Sequence, residues 1–205
     1  MELYLDDQPV TVDDAETQTL QEVAEELRDQ LTGQGRLLTT IRCDGREVIP
    51  AELEATLARQ AGMYGSVEFQ STGTQELVRG ALTEAAAMLA GTNEVRNKAA
   101  DLLNEGQMGA AMEALSQCFQ AWGQVHEAVI KSSQLMNIDL NEAQADGLNV
   151  VTWLMLLAEK LRDLKAALEA DDQVSVADIL RYEFDEVSEQ WKRVFEHLIG
   201  QTQRL

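Results

Sequence analysis

The chain has 205 residues, 45% of them hydrophobic and 25% charged, proportions of a soluble globular protein with room for one large domain or two small ones. Its 36 acidic and 16 basic side chains leave a net charge of −20, a field that repels phosphate backbones and anionic lipid heads and so argues against nucleic-acid or membrane partners. Two cysteines, Cys43 and Cys118, are too few for a disulfide framework or a zinc knuckle and are expected as reduced thiols.

The acidity is not confined to one end. Residues 1–72 hold 15 acids and 5 bases and the remainder 21 and 11, so each part carries −10 and a basic protein partner is favoured. The first residues, MELYLDDQ, lack the basic and apolar regions of a signal peptide. The most apolar window, 150–158, has nine residues and is too short to span a bilayer. A soluble, cytoplasmic protein is expected.

In chain order, residues 2–5 and 10–12 read as short strands around the turn composition Asp6-Asp7-Gln8-Pro9. Thr19 and Glu22 form a capping box for a helix whose stripe is Leu20, Val23, Ala24, Leu27 and Leu31, stopped by Gly33 and Gly35. Residues 37–43 alternate as a strand, Asp44-Gly45 signals a hairpin, and 46–49 return. A short helix follows Pro50 with Leu53 and Leu57 inward, and 66–70 make a last strand. This ββαββ order with a short helix before the final strand resembles the ubiquitin-like β-grasp superfamily. Carriers and modifiers of that superfamily end in a free Gly-Gly tail. Here the segment ends Ser71-Thr72-Gly73-Thr74 and runs on, so the resemblance implies an interaction or structural role.

From residue 75 the period is helical. Apolar lines at alternating steps of four and three run through Ala81, Ala85, Met88, Thr92, Val95, Ala99 and Leu102, then through Ala111, Leu115, Cys118, Trp122, Val125 and Val129. A third line is Val150, Leu154, Leu157, Leu161, Leu164 and Leu168, and a fourth Ala177, Leu180, Phe184, Val187, Trp191, Val194 and Leu198. Four such lines predict bundle packing, with Trp122 and Trp191 as core residues and Arg181/Asp185 and Glu189/Arg193 as outer-face pairs. The passage 99–111 repeats as 165–177, aligning Ala100 with Ala166, Gln107 with Gln173 and Ala111 with Ala177, which makes the bundle two αα-hairpins in succession. The join 132–147 is long, and its Leu135, Met136, Ile138 and Leu140 are expected to fold over one end of the bundle.

The expected fold is therefore α+β: a β-grasp-like domain over 1–72, then an antiparallel four-helix bundle over 75–205. Motifs for chemistry are missing. His126 and His197 have Gly123 and Val194 three residues before them, so neither completes Glu-x-x-His. The stretch 139–150 has Gln144 and Val150 where a calcium loop needs Gly and Glu. Cys118 and His126 are eight helical residues apart, about 12 Å, too far for a thiolate–imidazole couple. No catalytic residue, metal ligand or cofactor is assigned.

Two helices carry more apolar surface than a bundle needs. Val151, Trp153, Met155 and Leu156 on the third, and Ile179, Tyr182 and Phe195 on the fourth, are the candidate interaction residues, for a homodimer or for docking of the N-terminal domain. The expected function is a non-catalytic protein–protein interaction or adaptor protein binding through an apolar groove with an acidic rim. In size and charge the chain resembles export and assembly chaperones. The alternative is a small-molecule sensor or enzyme with its site between the two domains.

Overall fold

The computed structural model describes residues 1–202, which form two compact units, Met1–Leu77 and a second one beginning at Val78. In the first, strands β1 (Glu2–Leu5), β2 (Gln8–Pro9), β3 (Arg36–Cys43), β4 (Arg46–Glu47) and β5 (Ser66–Gly73) make one mixed sheet of order β2-β1-β5-β3-β4. The central pair β1/β5 is parallel and the other three pairs are antiparallel. Helices α1 (Leu20–Thr32) and α2 (Pro50–Leu57) fall between the strands.

Local chemistry explains the elements. Asp6 and Asp7 sit at φ 50° and 62°, and Asp44 and Gly45 at 50° and 76°, so both two-residue turns have the left-handed geometry that matches strand twist. The first turn is tighter than its composition suggests: β2 starts at Gln8, and 10–12 leave the sheet while Val12 enters the core. Thr19 Oγ1 accepts from Glu22 N and the Glu22 carboxylate accepts from Thr19 N at 2.8 Å, closing the capping box. Leu20, Val23 and Leu27 on α1 then bury against Leu3, Val67 and Phe69. Contrary to expectation, Leu53 is not inward; Thr56 is the buried residue of α2.

Strand β5 runs to Gly73 and α3 begins at Thr74, so no linker separates them, and the units divide inside the helix rather than at 73–74. The second unit contains α3 (Thr74–Asn104), α4 (Met108–Leu135), α5 (Val150–Glu169) and a fourth, composite helix. That helix is α6 (Gln173–Asp178), a π turn (Ile179–Glu183) and α7 (Phe184–Gln201). All four contribute to one apolar core. The expected lines of α4 and of the fourth helix are buried throughout. In α3 the buried line is Val78, Leu82, Ala85, Leu89, Thr92, Arg96, Ala99 and Leu103, so the expected Ala81, Met88, Val95 and Leu102 each give way to the next residue, an arginine in one case.

The long join is shorter than its sequence suggests. Helix α4 continues to Leu135, and Asp146-Gly147, at φ 52° and 82°, turns a small hairpin of β6 (Gln144–Ala145) and β7 (Leu148–Asn149). Met136, Ile138 and Leu140 pack on the core, whereas Leu135 is exposed. Trp153 Nε1 donates to Ala145 O at 2.8 Å, and Arg193 pairs with Asp146 at 3.1 Å, fixing the hairpin.

Two helix–turn–helix hairpins form, but their turns do not align at the spacing of the sequence repeat. Gly106 (φ 75°) turns the first hairpin and Asp171 (φ 54°) the second, each followed by an N–H bonded five residues back: Gln107 to Leu102 O, Asp172 to Ala167 O. These turns align at one residue less than the sequence repeat does. The same spacing pairs buried Ala85 with Val150, Ala99 with Leu164, Ala111 with Val176 and Leu115 with Leu180. Beyond the π turn, buried Cys118 pairs with Phe184, Val125 with Trp191 and Val129 with Phe195, one residue further on. The π turn absorbs that inserted residue.

Ion pairs hold this wide turn. Arg96 on α3 donates to Leu180 O, to Asn93 Oδ1 at 2.7 Å and to Asp185 Oδ1 at 2.7 Å. Arg181 reaches Asp101 on α3, and Lys160 on α5 reaches Glu183 at 2.6 Å, a bond that raises the lysine's pKa. The expected Arg181/Asp185 and Glu189/Arg193 pairs do not form, since both arginines and Asp185 are engaged across elements instead.

Candidate functional site

A groove of about 690 Å³ opens within the first unit, between α1, β3, β4 and α2. Its apolar lining is Ala24 from α1, Leu38 and Ile41 from β3, Val48 after β4, and Leu53 and Leu57 from α2. Leu53 is exposed because it faces this space rather than the core. Around it stand Glu25, Glu47 and Glu54, with Arg28 as the one basic residue of the lining. Arg42 lies 3.8 Å from Glu47, a loose surface pair that leaves the rim acidic.

The sequence elements that place these residues are simple. The α1 stripe uses Leu20, Val23, Leu27 and Leu31 for the core, which turns Gln21, Ala24, Glu25 and Arg28 toward the open side. The Asp44-Gly45 turn ends strand pairing after two residues, and Pro50 starts α2 at once, bringing Leu53 opposite Leu38 and Ile41.

The candidates named from the sequence divide. Trp153, Ile179 and Phe195 are buried in the bundle core, so the excess apolar surface of their helices is internal packing. Met155 and Tyr182 are 65% and 68% exposed, Leu156 is exposed and Val151 half-buried. These four remain on the surface, but no described concavity joins them. Sequence reasoning missed the groove.

Burial, with Asp44 nearby, pushes the Cys43 thiol up; burial likewise raises Cys118, against the opposing charge of Arg96. Neither is a thiolate nucleophile at neutral pH. Among the described residues, no three His, Cys, Asp or Glu side chains cluster as a metal would require, and no helix is long and apolar enough to cross a membrane.

Fold and groove together define an α+β protein with a mixed-sheet unit that carries the groove and a duplicated helical unit. The chain belongs to the family described as a domain of unknown function, DUF8042, which it matches over residues 81–194, from within α3 to within α7. Residues 1–72, nearly all of the first unit, match the TP0873 N-terminal domain. No curated protein and no solved structure matches the chain.

Proposed function

We propose that this protein is a non-catalytic cytoplasmic adaptor that binds a partner protein through the groove of its first unit. The observation that carries the reading is the groove itself: an apolar lining of six side chains under three glutamates. Such a surface suits a protein segment, because apolar contacts supply affinity and rim charges select the partner. An export or assembly chaperone is the narrower form, resting on size and charge. The sheet order, with a parallel central pair and one long helix between the second and third strands, supports placing the first unit in the β-grasp superfamily and agrees with an interaction role.

The test is a photo-crosslinking residue at Leu53 in cells, with the exposed Val174 of the second unit as control. A discrete protein adduct at Leu53, absent at Val174 and lost on Leu38→Glu, is expected. A groove that yields no protein adduct and retains a small molecule in native mass spectra would overturn the reading.

A further inference from the structure

We infer that the groove takes its partner as an extended segment that adds a strand to the free edge of β3, with apolar residues alternating with lysine or arginine. This rests on the reading of the groove as a protein-binding site. Strand β4 pairs only with Arg42 and Cys43, and one further bond runs from Val48 N–H to Ile41 O at 2.9 Å. From Arg36 to Thr40, β3 is paired to β5 alone among the described residues. Its other edge carries unpaired backbone groups, a template for another strand. That edge borders the groove, which Leu38, Thr39, Thr40 and Ile41 line in succession.

Proteins guard open edges with lysine, proline, inward charge or a bulge. Here one register shift between Leu38 and Thr40 is the guard on β3, no lysine or proline stands between Arg36 and Thr40, and Arg36 at the strand's start is tied back to Asp6 and Ser71. Five residues of strand span roughly 16 Å, enough for a segment of four or five residues. One face of such a segment meets Leu38, Ile41, Val48, Leu53 and Leu57. Glu25, Glu47 and Glu54 line the same groove around that apolar set, in a part of the chain with three acids for each base. Charge complementarity therefore selects a basic segment.

The experiment uses the full chain and labelled ten-residue peptides in fluorescence anisotropy. A peptide alternating valine and lysine should bind, and its valine–glutamate counterpart should bind at least about tenfold more weakly. Backbone N-methylation of all valines, or of all lysines, blocks hydrogen bonding on opposite edges of the peptide. One of the two should lose at least about tenfold and the other stay within about twofold. Leu53→Glu, at an exposed position that leaves the core intact, should weaken binding of the parent peptide. If both methylated peptides bind alike while Leu53→Glu still weakens binding, strand addition fails and the groove reading stands. If Leu53→Glu changes nothing, both fail. A chain that sediments as a dimer with the Leu38–Ile41 amides already protected would place a second copy on this edge and overturn the proposal.

Discussion

Arg96 is the residue whose removal tests the account of the helical unit. Its side chain is 0% exposed and donates to Leu180 O, Asn93 Oδ1 and Asp185 Oδ1, while its Nε has no partner. Breaking a fully buried ion pair costs about 3–5 kcal/mol because an uncompensated charge remains. That figure does not apply in full here, since Asp185 is 59% exposed and water can take over its carboxylate. What remains in Arg96→Ala is a weakened acceptor at Leu180 O, costing about 1–3 kcal/mol, and a cavity costing about 1 kcal/mol or more, less the relief of no longer burying a cation. A net loss of about 2–4 kcal/mol is expected. Arg96→Leu, which restores the residue type of Leu161 at the equivalent place in α5, fills the cavity and should recover about half. Urea denaturation at neutral pH, followed by the fluorescence of Trp122, Trp153 and Trp191, reads both, because all three rings are buried in this unit. A loss below about 1 kcal/mol for Arg96→Ala would show that its bonds merely offset its desolvation, and that the π turn does not depend on it.

Trp191 is 1% exposed with Phe195 at 5.9 Å between ring centroids, so Trp191→Ala should cost roughly 3–5 kcal/mol; a melting shift of under a couple of degrees would contradict its core role. Asp6 gives a pH dependence. Burial works upward on its carboxyl, but bonds from the Ser71 hydroxyl and amide, both 2.7 Å, and the charge of Arg36 outweigh it and leave the pKa lowered. A lowered native pKa stabilises the fold above the unfolded value of about 3.9 and ceases to do so as the pH falls through the native value. Asp6→Asn should therefore speed exchange of the Ser71 amide near neutral pH, with the difference from the parent shrinking as the pH is lowered past the ordinary aspartate range and through the lowered native value. A difference that stays constant down to the pH at which the fold itself is lost would refute the ionised carboxylate as the tie.

Most of the fold was legible because its signals are local. The capping box at Thr19 and Glu22, the Asp44-Gly45 turn and the lines of α4 and α7 each lie within a few residues, and each forms as read. Two of the misreadings share a physical cause: a rule applied to a site where tertiary structure had changed its terms. The expected α3 line passes through Val95 where the structure buries Arg96, because an apolar stripe does not admit an arginine; at 81/82, 88/89 and 102/103 both neighbours are apolar and spacing alone does not choose between them. Arg181 and Asp185 were paired by helical spacing, which a π turn between them does not preserve. The second Asp-Gly turn, Asp146-Gly147, carried the same signal as the first and was overlooked inside a presumed loop.

The groove was illegible for a different reason. Its residues come from four elements spread between Gln21 and Leu57, and no two of the elements announce it alone. Leu53 and Leu57 read as core, because an apolar residue on an amphipathic element has an inward face as its default, while Leu38, Ile41 and Val48 read only as strand residues. What leaves them uncovered is the brevity of β4, two residues long, and the immediate onset of α2 at Pro50. A longer β4 would have paired the edge of β3 and brought its own side chains over Leu38. The return strand from the clearest hairpin signal in the chain is thus stopped short by the helix that Pro50 starts, before it can close the sheet. The open edge and the groove beside it follow from that single truncation.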